Sequence, residues 1–543
     1  MNSFQVNSRL VDIQERRIFA AKVTVDDGHI TSITELTAGE DLQGFIIPGF
    51  VDSHVHIESS MLIPSEFARI AVTHGTIATV SDPHEIANVC GMPGVEFMIE
   101  NGKQVPFYFN FGAPSCVPAT NFETAGATLN SGEVTELLKR DEIRYLSEMM
   151  NFPGVLNQDP EVMAKIAAAH LLGKPVDGHA PGLRGKEAAT YINAGITTDH
   201  ECFTSEEAEE KLKYGMKILI REGSAAKNFD ALIPLLNKYP NQMMFCSDDK
   251  HPDSLEAGHI NQLCARAVTA GIDVFNVLQA ACINPVLHYK IRSGLLRTGD
   301  AADFIVVEDL VRFKVMQTYI QGKLVAANGR TKISGINDRN DYPNQCNCSE
   351  ITKDSIQLKG NAGLVPVIEA LDGQLITNRL NLALNSINGI IQPDRSKDIL
   401  KIVVVNRYFD APPAVAFIRN MGLKKGAMAS SVAHDSHNIV ATGIDDDSIV
   451  RAINSIIRCK GGISCAWDDQ EFVLPLPVAG LMSAVDGYSI SRQYTEIDRK
   501  VKDLGSELSA PFMTLSFMAL LVIPHLKLSD KGLFDGDEFR LVG

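Results

Sequence analysis

With 543 residues, the chain exceeds what one hydrophobic core supports and divides, at ordinary domain sizes, into about two to four domains. Its hydrophobic content of 45% and charged content of 21% are those of a globular protein. A formal net charge of −16 excludes a broad nucleic-acid or anionic-membrane surface, because both would repel the chain and no basic patch interrupts the charge. The ten cysteines are scattered and no secretory segment precedes them, so reduced thiols and a cytoplasmic location are expected.

In chain order, the first 45 residues read as short alternating strands separated by turns such as DDGH at Asp26–His29. From 46 to 289, apolar strand-like runs alternate with helical stretches, as in HGTIATVSD, MPGVEFMIENG and VPFYFNFGAP. That rhythm and length predict an α/β fold built on one (β/α)8 TIM barrel. A doubly wound sheet competes, but no Gly-x-Gly-x-x-Gly follows the first strand. Strands and turns return in Ser293–Leu310 and Lys314–Arg330, so residues 1–45 and 290–333 are expected to pair into a small β-sandwich domain flanking the barrel. A polar, turn-rich stretch at Gly335–Glu350 reads as a linker. Residues 345–543 then form a C-terminal α/β domain. Within it, Phe512–Pro524 is too short to span a bilayer and reads as a buried element. Cys346-Asn-Cys348 lacks a second pair at zinc-finger spacing.

A barrel places its chemistry at the C-terminal ends of its strands, so polar residues should close successive apolar runs. Five places do so. FVDSHVHIES carries His54 and His56, two apart and therefore on one face. IRYLSEMMNF carries Glu148 in an otherwise strand-like run, KPVDGHAPG ends with His179, GITTDHECF with His200, and NQMMFCSDDKHP with Asp248 and Asp249. A single strand-end histidine is more often a turn or hydrogen-bonding residue than a metal ligand. Four imidazoles and two carboxylates in succession form the shells of two divalent ions, with open positions for water. SDPHE adds Asp82, His84 and Glu85; Asp82 reads either as a helix cap or as part of the site. Glu201 points away from His200 if the two are neighbours on one strand. The segment SSVAHDSHN, with His434, Asp435 and His437, admits a third metal site, a substrate contact or packing between domains.

The order His-x-His, a fourth-strand ligand, His, His and Asp resembles the amidohydrolase superfamily of metal-dependent barrels. The strings PGFVDSHVHIESSM, SDPHEIANV, SEMMNFPGV, DHECFTSEEA, SDDKHPD, GLKKGAMASSVAHDSHNI and PFMTLSFMALLVIPHLKLSDKGL are similar to those of the bacterial adenine deaminases, and this likeness spans nearly the whole chain. It implies a purine-salvage enzyme that converts adenine to hypoxanthine and ammonia with a metal-activated hydroxide, acting on a C–N bond of a cyclic amidine. It also implies a centre of two divalent ions, manganese or iron with zinc also suited to the ligands. His54, His56, His179, His200 and Asp248 would ligate, and Glu148 would bridge. Many binuclear members of the superfamily bridge through a carboxylated lysine. Here Glu148 stands where that bridge belongs, and no lysine lies between Lys139 and Lys165. The other reading of Glu148, a buried salt-bridge partner, still requires a cation beside it.

Deamination needs an attack at C6, a base to move the water proton to the leaving amine, and a proton on N1. The resemblance gives Asp248 the first proton transfer; Asp82 and His84 are the choices for N1. A homo-oligomer is the common state of such enzymes. The competing functions are a cyclic-amide hydrolase of the dihydroorotase or hydantoinase type, expected to carry the bridging lysine and to lack the long C-terminal domain, and a non-catalytic binding protein.

Overall fold

The computed structural model describes residues 3–37, 42–336 and 341–542. Eight parallel strands form the barrel: Phe50–Val55, Thr76–Ser81, Tyr108–Ala113, Ile143–Met149, Val176–Gly178, Thr198–Asp199, Lys217–Arg221 and Met243–Cys246, the first to eighth barrel strands in chain order. They lie in a five-stranded and a three-stranded arc. Parallel pairings of Val176 with Ile196 and of Val55 with Asp248 close the two seams. Every residue of the first two strands is buried, since helices cover the outside of the barrel and side chains fill its interior.

The barrel begins at Phe50, not at Ile46. Phe45–Pro48 pairs with Phe304–Val307 and with Arg9 and Leu10, and so belongs to the small β domain. The apolar run is continuous there and carries no compositional break. The crossing is marked by Gly49, where a Cβ would stand 2.5 Å from the Ile77 side chain, so glycine alone lets the backbone pass this close. The small domain is an eight-stranded sheet drawn from both ends of the barrel sequence. Phe4 and Tyr319 stack with ring centroids 5.3 Å apart although two strands separate theirs. The sheet therefore folds over a core of its own, which includes Leu10, Val23, Ile46 and Phe304.

The C-terminal domain is built on a second eight-stranded sheet, with Thr377–Leu384 at one edge and Gln470–Pro475 at the other. Helix Asp446–Arg458 covers one face. Asp445 caps it, accepting the Ser448 N–H at 2.8 Å, and Ile449, Ile453 and Ile456, spaced on one helical face, are buried. The other face joins the barrel core: Met61, Phe67 and Met150 lie in the same apolar cluster as Leu375, Met428 and Phe512. Phe512–Pro524 is largely buried and starts within the helix Pro511–Phe517. Among the described residues no helix is long and apolar enough to cross a membrane.

Candidate active site

Strand register places the functional groups. Asp52 accepts the Ser247 backbone N–H at 2.9 Å and contacts His259 Nε2 at 2.8 Å, tying the first barrel strand to the end of the eighth. Just beyond this tie, the Asp248 N–H donates to the His54 carbonyl at 2.9 Å and the His56 N–H to the Asp248 carbonyl at 3.3 Å. Asp248 turns through a φ of 54°, a left-handed conformation that aspartate adopts at modest cost. The turn aims its carboxylate into the barrel mouth, where Oδ1 lies 3.3 Å from Nε2 of both His54 and His56.

His54 and His56 share a face, and their Nε2 atoms stand 3.2 Å apart. Glu148, on the fourth strand, reaches across the mouth. Its Oε1 lies 3.2 Å from His56 Nε2, while its Oε2 lies 2.7 Å from His179 Nδ1 and 3.3 Å from His200 Nε2. One carboxylate thus faces two groups of histidines, one oxygen toward each. Asp82 Oδ1 accepts the His84 backbone N–H at 3.1 Å and Oδ2 lies 3.0 Å from His84 Nδ1, so Asp82 caps the turn and also buttresses the imidazole. His84 Nδ1 is 3.6 Å from Glu148 Oε1. The eight residues expected to ligate, bridge or move protons are all buried and converge at the C-terminal ends of the strands.

Three more groups join them. Glu201 does not point away from His200: the sixth strand ends at Asp199, so strand alternation no longer applies. Its Oε1 lies 3.3 Å from His200 Nε2 and 3.7 Å from His179 Nδ1. Arg221, closing the apolar run KILIR, pairs with Glu201 Oε2 at 3.0 Å and Asp248 Oδ2 at 2.8 Å. It carries the same signal as the histidines, a polar residue ending a strand, but a cation is not a metal donor and so falls outside the ligand pattern. Glu85 is gripped from the C-terminal domain by His434 Nδ1 at 2.5 Å and by His437 Nε2. SSVAHDSHN therefore makes a domain contact, and it brings Asp435 to the pocket, which Leu375, Phe517 and Leu520 roof.

Burial alone would raise the Glu148 carboxyl, but His179, His200 and His56 hold it well below the usual carboxylate range. Burial is likewise outweighed at Asp248 by Arg221, His54 and His56. Both are anions in a buried cluster. Asp82 Oδ2 and His84 Nδ1, although 3.0 Å apart, are not aligned for a hydrogen bond, and among the described residues neither they nor His84 Nε2 has a hydrogen-bond partner. Buried groups left in that state cost about 1–3 kcal/mol each. Imidazoles and carboxylates are donors that divalent transition ions take, so the residues present fit metal ions.

The closed parallel barrel carries at its mouth a buried cluster compatible with a metal centre, and residues 45–325 match the amidohydrolase family. Residues 374–540 match the adenine deaminase C-terminal domain. The chain is 56% identical over 539 residues to an adenine deaminase of Sulfurovum sp., covering 99% of both chains. It is 54% identical over 542 residues to one of Salinibacter ruber, covering 99% of this chain and 98% of the other. A third, from Methanosarcina barkeri, is 50% identical over 543 residues and 98% of each chain. The chain belongs to the adenine deaminase family.

Proposed function

We propose that the protein hydrolyses the 6-amino group of adenine, releasing hypoxanthine and ammonia, at a centre of two divalent ions. His54, His56, His179, His200 and Asp248 would hold the ions and Glu148 would bridge them; manganese or iron suits these donors, as does zinc. The observation that carries this reading is the posture of Glu148, with Oε1 3.2 Å from His56 and Oε2 2.7 Å from His179. When bound, the ions lower the pKa of water from about 15.7 toward about 7 and so supply a nucleophile at neutral pH.

The remaining work falls to the chain. Asp248 is anchored to Arg221 through Oδ2 at 2.8 Å, which leaves Oδ1 to take the proton of the attacking water and pass it to the leaving amine. His84, with Asp82 behind it at 3.0 Å, supplies the proton to N1, so that charge does not accumulate on the ring. The apolar roof excludes water from the ring faces. The setting is purine salvage in the cytoplasm by a homo-oligomer.

Metal-loaded protein mixed with adenine should convert its ultraviolet spectrum to that of hypoxanthine, leaving dihydroorotate and hydantoin untouched. Turnover of the cyclic amides with none of adenine would reverse the reading.

A further inference from the structure

We propose that Asp435 recognises the imidazole-ring N–H of the free purine base, so that the C-terminal domain, not the barrel, rejects purines substituted at N9. The inference rests on the reading of adenine as substrate. Asp435 is 3% exposed and is the one carboxylate that the C-terminal domain contributes to the pocket lining among the described residues. Its Oδ2 has no hydrogen-bond partner among the described residues, and its Oδ1 lies 3.7 Å from His84 Nε2. A buried carboxylate without a partner is costly. Its Oδ1 faces the His84 imidazole, but Oδ2 is left without a donor, and Glu85 and Glu123 close by are themselves buried acids. The segment is nevertheless held rigidly: Glu85 grips the imidazoles on both sides of Asp435, and the Asn438 side chain accepts the Arg407 backbone N–H at 3.1 Å and donates to the Thr124 carbonyl at 2.8 Å. An acceptor fixed in place yet unpaired is complementary to a ligand donor.

Adenine has that donor. With C6 and N1 turned to the histidine cluster, the five-membered ring faces away from it, and a free base carries one ring N–H there. A nucleoside, or 9-methyladenine, replaces the N9–H with a bond to carbon. It would leave the carboxylate unpaired and push the substituent into a wall closed by Leu375, Phe517 and Leu520. Sites built to hydrogen-bond a substrate N–H reject analogues lacking it by on the order of 10⁴-fold.

The test compares adenine with 9-methyladenine in the full-length, metal-loaded protein and in D435A and D435N, with metal content and thermal midpoint measured alongside. The wild type should discriminate strongly in kcat/KM. D435A should lose about 10–100-fold on adenine, mostly in KM, and the preference for adenine over 9-methyladenine should shrink by at least that factor. D435N, which retains a neutral acceptor, should fall between. Equilibrium binding of hypoxanthine, which keeps the ring N–H, should weaken in the same order, while 9-methylhypoxanthine is affected less. An unchanged adenine to 9-methyladenine ratio in D435A would overturn the inference, as would loss of one bound ion per chain with that ratio preserved, which would make Asp435 a metal ligand. A wild type inactive on adenine would instead sink the proposed function and is distinguishable from either.

Discussion

Glu148 links the two histidine groups of the barrel mouth, because its two oxygens serve different histidines. Glu148→Gln keeps the shape but replaces one oxygen with an N–H2 that cannot ligate a cation. Metal content measured by elemental analysis should fall below two ions per chain, and kcat/KM on adenine should drop on the order of 100-fold or more. Full occupancy with normal turnover would remove Glu148 from the centre. Arg221 works differently. It is 1% exposed and supplies the buried cation between Glu201 and Asp248. Arg221→Met preserves much of the stem but strands two carboxylates, and removing one partner of a buried ion pair typically costs about 3–5 kcal/mol. Urea unfolding of metal-stripped protein should show a loss of that size, without which the pair contributes no net stability.

At the scale of elements, the roof depends on a residue that never enters the pocket. Lys527, fully buried on the strand Leu526–Ser529, donates from Nζ to the Leu375 carbonyl at 2.5 Å and to the Phe517 carbonyl at 3.0 Å. It thereby joins the two segments whose side chains cover the substrate cavity. Burial pushes its pKa down to about 7; a neutral amine still has two N–H groups for the two carbonyls. Lys527→Met should raise the KM for adenine several-fold with little change in kcat, and speed amide exchange around Leu375 and Phe517, since each carbonyl left unpaired costs about 1–3 kcal/mol. An unchanged KM with unchanged exchange would show that the roof holds without the tie. Such couplings mark the limit of what can be read along a chain. His54, His56, His179, His200 and Asp248 were legible because each closes an apolar run, and a barrel gathers strand ends at one rim. The orientation of Glu201 was not, because it depends on where a two-residue strand stops. The grip of His434 on Glu85, 349 positions apart, needs two domains to dock, and no local periodicity encodes that.

For the molecule as a whole, the barrel and the C-terminal domain are packed as one body. Apolar side chains from both share a single buried cluster, and the backbone joins them: the Ser483 N–H donates to the Met61 carbonyl at 2.8 Å and the Ile63 N–H to the Ser483 carbonyl at 3.3 Å. Polar contacts reinforce the seam, with Tyr494 Oη 2.5 Å from His251 Nδ1 and the Gly487 N–H 2.9 Å from Glu66 Oε2. The small β domain has a core of its own, while Val11, Ile47, Ile305 and Val315 on its other side join the barrel's cluster. Residues 1–336 expressed alone should therefore retain the small domain but present the barrel surface that Gly487 and Ser483 cover, including Leu62 and Ile70, to water. Contiguous apolar patches of that kind drive association, so sedimentation should report aggregates, not a monodisperse fragment. The fragment should also fail to turn over adenine even where it retains ions, because His434, Asp435, Leu375, Phe517 and Leu520 all come from the missing half. A well-behaved fragment with wild-type kcat/KM would show that the barrel is self-sufficient and that the second domain serves some purpose other than completing the pocket.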